Sequence, residues 1–485
     1  MDNPEPPLPV IKRMQVRLAA SRFFTFSLLL HIVIVLFCGS VVLIKKVMDA
    51  PDFEASDGLI GGDETVAAPP APMDVTPQVF APTTPELNAP QLPTITTINT
   101  QTPVFQVIAV APVVKAVATD SSMTKALSEA AKTMGKGLGA GLPGSMSGRM
   151  GGSARRAAMM AKGGKDKSEQ AVLKGLRWLV ANQNEDGSWS NENRPAMTGL
   201  ALLSFLGHGE LPNSPEFGGA VEKAVNWLLT NGQKNEGRMN MAKAFSQSGV
   251  YEHGIATYAL GEYYTMSKDE RAVDILKQAI KHIIDGQGPD GGWMYSFDKT
   301  RSDTSVSGWQ IQALKAAHLS NLEIPGVSET MDKAIVNLKR VRGKQGGFGY
   351  RGPEDRYSLT GVGVLCTYFW KQKKDDMVTD GMKFIIDRMK SNEPVKYAGP
   401  SADLYAWYYH TQAALMVGGS AWTTWNKAFQ DEIVDNQSPD GSWPVTGGKG
   451  HGPENKPGGA GPVYRTTLCI LMLEVYYRYM PSTKS

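Results

Sequence analysis

Gln183-Asn-Glu-Asp-Gly187-Ser-Trp189, Gln287-Gly-Pro-Asp-Gly291-Gly-Trp293 and Gln437-Ser-Pro-Asp-Gly441-Ser-Trp443 are three copies of one pattern, Gln-x-x-x-Gly-x-Trp. Two weaker copies stand between them. Gln233 to Met239 keeps the Gln and the Gly but ends on Met, and Gln345-Gly-Gly-Phe-Gly-Tyr350 is shortened, with aromatic substitutes. A sixth copy is expected near Ser391, where the signature is lost but the double gap between 345 and 437 needs filling. Recurrence at about 50 residues marks stacked repeats rather than one irregular core. The chemistry of the pattern is structural. Asp-Gly supplies a tight turn in which Gly takes a positive φ, Gln reaches free backbone groups of a neighbouring helix end, and Trp covers the joint while keeping one N–H for a partner.

Each copy follows an amphipathic stretch, such as Ala171-Val172, Leu176 and Leu179-Val180, and precedes a more apolar one. The apolar stretches are Thr198–Leu206, His253–Tyr264, Ser305–His318, Ser358–Trp370, Leu404–Val417 and Tyr464–Tyr479. A helix that is apolar on every side must be buried. The consistent arrangement is six inner helices ringed by six outer ones, an all-α, α6/α6 toroid over residues 168–485.

The repeats resemble the QW motifs of squalene-hopene and oxidosqualene cyclases and the related repeats of protein prenyltransferase β-subunits, over about residues 168–480. The resemblance implies an α/α toroid. For a cyclase it also implies an Asp-x-Asp-Asp-Thr-Ala motif before an inner helix, because a carboxylic acid held protonated must protonate a weakly basic alkene. The matching stretch here is Thr300-Arg301-Ser302-Asp303-Thr304-Ser305. Asp303 and Thr304 fall on the motif's last Asp and its Thr, but the proton donor falls on Ser302 and the first Asp on Thr300. Cyclases also carry a second helical barrel, which this chain has no length to supply. For a prenyltransferase the resemblance implies a Zn²⁺ held by Asp, Cys and His. The chain has no Asp-x-Cys and no metal-spaced His pair, and Cys366 lies in the apolar run Val362 to Trp370. The Cys-Gly-Glu-Gln of thioester domains is not matched by Cys366-Thr-Tyr-Phe369. No metal and no cofactor are expected.

Polar and aromatic groups nevertheless gather at the starts of the inner helices, where a toroid's pocket opens. Tyr251, His253, Asp303, Tyr357, Asp403, Tyr405, Tyr464 and Arg465 stand there, with Trp309 and His410 a turn or two deeper. Asp303, Asp403 and His253 are the candidates for acid–base work. Each has a structural reading beside the chemical one: the two acids as helix caps, and the histidine as a buried group bonded to a carbonyl. Taken as a set, they suit an apolar, isoprenoid-like or peptide ligand.

Ahead of the repeats the chain changes character. Phe23 to Ile44 is an apolar run without Asp, Glu, Lys or Arg. At about 1.5 Å rise per residue it is long enough to cross a hydrocarbon core of about 30 Å. It exceeds the ordinary signal-peptide core of about 7–15 residues, so it reads as an uncleaved anchor. Lys12, Arg13, Arg17 and Arg22 precede it, while Lys45 and Lys46 follow it and then give way to Asp49, Asp52 and Glu54. The positive-inside rule therefore places residues 1–22 in the cytoplasm and the toroid outside, in the periplasm of a diderm cell. Ser27 and His31 share one face of the span. They resemble the anchor of TonB-type energy transducers, whose helix docks on a proton-driven motor complex; the other reading is a plain anchor that tolerates a histidine. Residues 45–167 read as a linker, rich in Pro and Thr and then in Gly and Met. Its stretch from Gly135 to Gly164 is expected to be flexible, with Arg149, Arg155, Arg156 and Lys162 solvated or near anionic lipid.

A net charge of +3 excludes a broad nucleic-acid footprint, and three cysteines, Cys38, Cys366 and Cys469, make no disulfide framework. The composite expectation is a membrane-anchored, non-catalytic toroid that binds a partner peptide or protein, or an apolar ligand, with coupling to a membrane motor as a variant. The alternatives are an enzyme on an isoprenoid substrate, with Asp303 or Asp403 as its acid, and a structural envelope protein.

Overall fold

The computed structural model describes residues 143–149, 151–241, 244–371, 375–450 and 452–479, all of which fall in one compact unit. The anchor at 23–44, with Ser27 and His31, and the Pro/Thr-rich linker lie outside the described residues. Among the described residues no helix is long and apolar enough to cross a membrane.

Among the described residues fourteen α-helices follow in order: α1 (Gly152–Ala161), α2 (Asp166–Ala181), α3 (Arg194–His208), α4 (Gly218–Lys234), α5 (Gln247–Ser267), α6 (Val273–Gly286), α7 (Thr304–Leu319), α8 (Val327–Val341), α9 (Tyr357–Lys371), α10 (Asp376–Ser391), α11 (Leu404–Val417), α12 (Gly419–Asp435), α13 (Gly461–Leu473) and α14 (Val475–Arg478). No strand occurs among the described residues beyond isolated bridges around Arg342, Phe348, Glu354 and Arg356. From α2 to α13 the helices alternate in kind. α3 buries every residue from Pro195 to His208, and α11 every residue from Leu404 to Met416. α6 buries only one stripe, including Leu276, Ala279, Ile280 and Ile283. An all-round apolar helix has to be enclosed, and a striped one covers it.

The inner helices pack in sequence, α3 on α5, α5 on α7, α7 on α9, α9 on α11 and α11 on α13, and α13 packs back on α3. Each outer helix lies against two successive inner ones: α4 against α3 and α5, α6 against α5 and α7, and so on round to α2 against α13 and α3. The architecture is a closed α/α toroid. Its inner helices run parallel to one another, so all their N-termini lie at one end of the ring and all their C-termini at the other.

The stretch expected to be flexible departs from that expectation. Residues Gly144–Arg149 form a 3₁₀ turn and Gly152–Ala161 a helix, both packed on the ring. Composition misled here because small residues that favour flexibility also allow close approach. A Cβ at Gly209 would stand 2.2 Å from the Arg149 carbonyl oxygen, and one at Gly164 would stand 2.3 Å from Met159 Cγ.

Candidate functional site

The repeat turns build the frame from which every candidate side chain projects. In each full copy the glutamine Nε2 donates to the glycine carbonyl of its own turn and to a carbonyl on the next outer helix. Gln183 bonds Gly187 O at 2.9 Å and Ala220 O at 3.0 Å, Gln287 bonds Gly291 O and Thr330 O at 2.8 Å each, and Gln437 bonds Gly441 O and Ala171 O at 2.9 Å each. The last pair ties the sixth outer helix to the first and fastens the ring. Each indole N–H donates back to the preceding outer helix: Trp189 to Leu179 O at 2.8 Å, Trp293 to Ile283 O at 2.7 Å, and Trp443 to Ile433 O at 2.8 Å.

His253 belongs to this frame. The backbone N–H of Trp189 donates to Thr198 Oγ1, that of Trp293 to Ser307 Oγ and that of Phe348 to Thr360 Oγ1. In the weak second copy the N–H of Met239 donates instead to His253 Nδ1 at 3.0 Å, and His253 Nε2 then faces Ala279 O at 3.0 Å. The first contact makes Nδ1 an acceptor, so Nε2 carries the proton and the ring is neutral. Burial, with His282 nearby, lowers its pKa to about 3. His410 is similar: its Nε2 faces Tyr357 O at 3.0 Å, its ring lies edge-on to Tyr357 and to Trp425 of outer helix α12, and burial lowers it to about 3.

The two candidate acids are helix caps. Asp303 Oδ1 accepts from the N–H groups of Ser305 and Val306 and from Ser305 Oγ, at 2.8, 3.2 and 2.8 Å. Asp403 Oδ1 accepts from Ala406 N at 2.9 Å. Ser302, where the cyclase motif has its acid, is bonded into the neighbouring repeat turn. Its Oγ donates to Asp290 Oδ2 at 2.7 Å and accepts from Asn337 Nδ2 and Arg340 Nη2 at 2.8 and 2.9 Å. Arg465 ties down the loop before α13 through Trp443 O, Glu454 O and Lys456 O. Beside Asp403 stands Glu454, which no sequence signal marked. It accepts from Leu404 N at 3.0 Å, and burial together with the charge of Asp403 pushes its carboxyl well up.

The inner layer is rich in buried aromatic side chains. Tyr251 on α5 senses Tyr405 on α11, the opposite inner helix, as well as Asp303 and Tyr350, and burial first and then these neighbours hold its hydroxyl un-ionised. Tyr251 OH also bonds Ser305 Oγ at 2.6 Å, and its ring lies 6.1 Å from that of Tyr295. Tyr405 and Tyr409 have centroids 5.2 Å apart. Trp309 and Tyr464 are wholly buried in the same inner layer, while Trp309 Nε1 and Tyr357 OH are enclosed without a hydrogen-bond partner. Enclosed donors of this kind are places where water or a ligand atom belongs.

A second polar cluster closes the C-terminal end of the ring. Arg478, after α13, donates to Tyr258 OH on α5 at 2.9 Å and toward Tyr408 OH on α11 at 3.4 Å, so it too spans opposite helices. Arg149 donates to Glu262 Oε2 at 2.9 Å, to Arg478 O at 2.7 Å and to Leu206 O at 3.3 Å. Tyr479 OH bonds the other oxygen of Glu262, whose pKa stays below the ordinary carboxylate value because the two arginines outweigh its burial. Sequence reasoning missed this cluster. The available signals were Glu262, Glu474 and Arg478, charges inside stretches that are mostly apolar.

Among the described residues no group of three His, Cys, Asp or Glu is placed to hold a metal ion. Cys366 and Cys469 are buried and form no disulfide. No family model and no curated protein sequence matches the chain. Solved structures with a similar fold include the alpha-1,6-mannanase GH76A of Salegentibacter sp. HEL1_6, at TM-score 0.48 and 12% identity over 64% of this chain and 99% of that one. The type II terpene cyclase MstE from Scytonema, crystallised as a variant with merosterolic acid A, matches at TM-score 0.46 and 14% identity over 64% of this chain and 96% of that one. At that similarity neither neighbour's substrate nor its reaction transfers to this chain.

Proposed function

We propose that this protein is a membrane-anchored toroid that binds an apolar ligand carrying acceptor oxygens and leaves it unchanged. One observation carries the reading. The inner layer is lined by aromatic faces, Tyr251 opposite Tyr405 foremost, beside donors without partners, whereas each acid that resemblance nominated for chemistry is engaged as a cap. Aromatic walls hold apolar chains, and the indole N–H of Trp309 can only donate, so it calls for an oxygen on the ligand. An isoprenoid alcohol or phosphate offers such an oxygen at the end of an apolar chain. The likeness of the repeats to squalene cyclases and prenyltransferase β-subunits belongs with this reading. So does placement outside the cytoplasmic membrane on the anchor 23–44, with Ser27 and His31 available to a membrane motor.

A photoreactive farnesol analogue, added to the full chain in lipid nanodiscs, tests it. Labelling is expected on α5, α7 and α11 and is expected to fall about tenfold in Tyr405→Ala, the loss of one well-packed aromatic contact. Labelling spread over the outer helices, or indifferent to Tyr405→Ala, overturns the proposal. Displacement of the probe only by extended peptides assigns the lumen to a peptide instead and overturns the isoprenoid assignment.

A further inference from the structure

The segment between linker and ring has a role that the repeats do not explain. The ring fastens without it, through Gln437 to Ala171 O and through α13 packed on α2 and α3. Residues 144–149 and 151–164 are laid on afterwards, across the end where the inner helices finish. Arg149 reaches α3 at Leu206 O, α5 at Glu262 and the C-terminal tail at Arg478 O, and its Nη1 also approaches Met266 Sδ at 3.4 Å. Met146, Ala158 and Met159 of the segment are buried with the core, and the other attachments are polar. Lys162 Nζ donates to Tyr476 O at 2.8 Å, Arg155 Nη1 to His208 O at 2.9 Å, and Trp422 Nε1 to Lys162 O at 2.9 Å.

This junction is poorly balanced. Two fully buried guanidiniums meet Glu262, while burial pushes the carboxyl of the neighbouring Glu474 well up. Arg149 Nη2, Arg478 Nε and both oxygens of Glu474 lack hydrogen-bond partners. A buried polar joint that is only partly satisfied separates more readily than an apolar core, because water regains what the protein leaves unpaired. A segment this short, held by three buried apolar side chains and by such bonds, opens locally, below the free energy of global unfolding.

We propose that residues 144–149 and 151–164 form a detachable strap across the C-terminal end of the ring, which opens without unfolding the ring. Opening frees Arg149 from Glu262, exposes Met266 and leaves the linker joined to the ring at α2 alone. The position of the tether then changes, while Arg478 still spans Tyr258 and Tyr408. The inference goes beyond ligand binding and does not require the ligand.

Hydrogen exchange on the full chain in nanodiscs tests it. Amides of α1 are expected to exchange at least about tenfold faster than those of α3 and α5, the signature of sub-global opening. Glu262→Gln is expected to speed exchange in α1, and oxidation of Met266 by hydrogen peroxide, while exchange in α9 stays as it was. If α1 exchanges at the rate of α3 and α5 in the wild-type chain, the strap is part of the ring's cooperative core and the proposal fails. It fails equally if Glu262→Gln speeds α1 and α9 alike. Should that variant not fold, the wild-type exchange pattern and its Met266 oxidation rate decide alone.

Discussion

His253 and His410 show how a residue that looks chemical becomes part of the frame. Each is enclosed, and each Nε2 proton is directed at a backbone carbonyl. With pKa values lowered to about 3, neither ring is expected to titrate between about pH 5 and 8, the range in which an unperturbed histidine does. Imidazole NMR shifts followed over that range check this, and a midpoint inside it would reopen both as acid–base candidates. His208 behaves oppositely: although burial lowers its pKa, the carboxylates of Glu169 and Glu210 on its two nitrogens raise it above the ordinary 6.5. A raised histidine adds stability in full below its unfolded value and loses it as pH climbs through the folded value. The thermal midpoint is therefore expected to fall as pH rises from 6.5 through that higher value, and His208→Gln is expected to flatten the decline. Ser302 makes a third case. Ser302→Asp restores the cyclase motif's acid in the sequence, but the side chain is committed to Asp290, Asn337 and Arg340. No alkene-protonating activity is expected from it, only a loss of about 1–3 kcal/mol read by denaturant unfolding, from placing a carboxyl against Asp290 and disturbing buried bonds.

At the scale of the element, the repeat turns carry the architecture, and they were the most legible part of the sequence. Gln, Gly and Trp each do in the structure what their chemistry dictates, because the three demands, two carbonyls to bond, a positive φ and a large enclosed face, admit few other residues. Gly291 is the sharpest instance. Its φ is +89°, and a Cβ there would stand 2.1 Å from Lys333 O on the next outer helix. Gly291→Ala is expected to lower stability by more than the roughly 1–3 kcal/mol of left-handed strain alone, since the adjoining helix must also move. Gln287→Ala, which loses two bonds but collides with nothing, is expected to stay near 1–3 kcal/mol. Chemical denaturation of both variants gives the order, and the reverse order would mean that the turn holds by its hydrogen bonds instead. The site was less legible. The helix starts were readable, so Tyr251, Tyr405 and Trp309 were placed in the inner layer, but which polar groups meet across a ring depends on closure, which no local pattern encodes. Asp303 and Asp403 could be read from sequence either as caps or as acids, and only their bonds decide.

For the whole molecule, closure of the ring is what gives the other features meaning. It sets Tyr251 opposite Tyr405 and, deeper along the same two helices, Tyr258 opposite Tyr408, and it provides the opening that Arg478 and Arg149 cross. Arg149 was out of reach of sequence reasoning, because a lone arginine among Gly, Ser and Met is ordinarily solvated. It is buried here because Glu262 and the Arg478 carbonyl await it on elements far away in the chain. The same geometry separates the two main functional readings. A catalyst needs an acid or a metal directed into the lumen, whereas a binder needs only the aromatic wall and its unpartnered donors. The decisive measurement is product analysis after the full chain, in lipid nanodiscs, has been incubated with squalene and with farnesyl diphosphate. The account predicts that both are recovered intact. A cyclised hydrocarbon, or diphosphate released in proportion to the protein present, would contradict it.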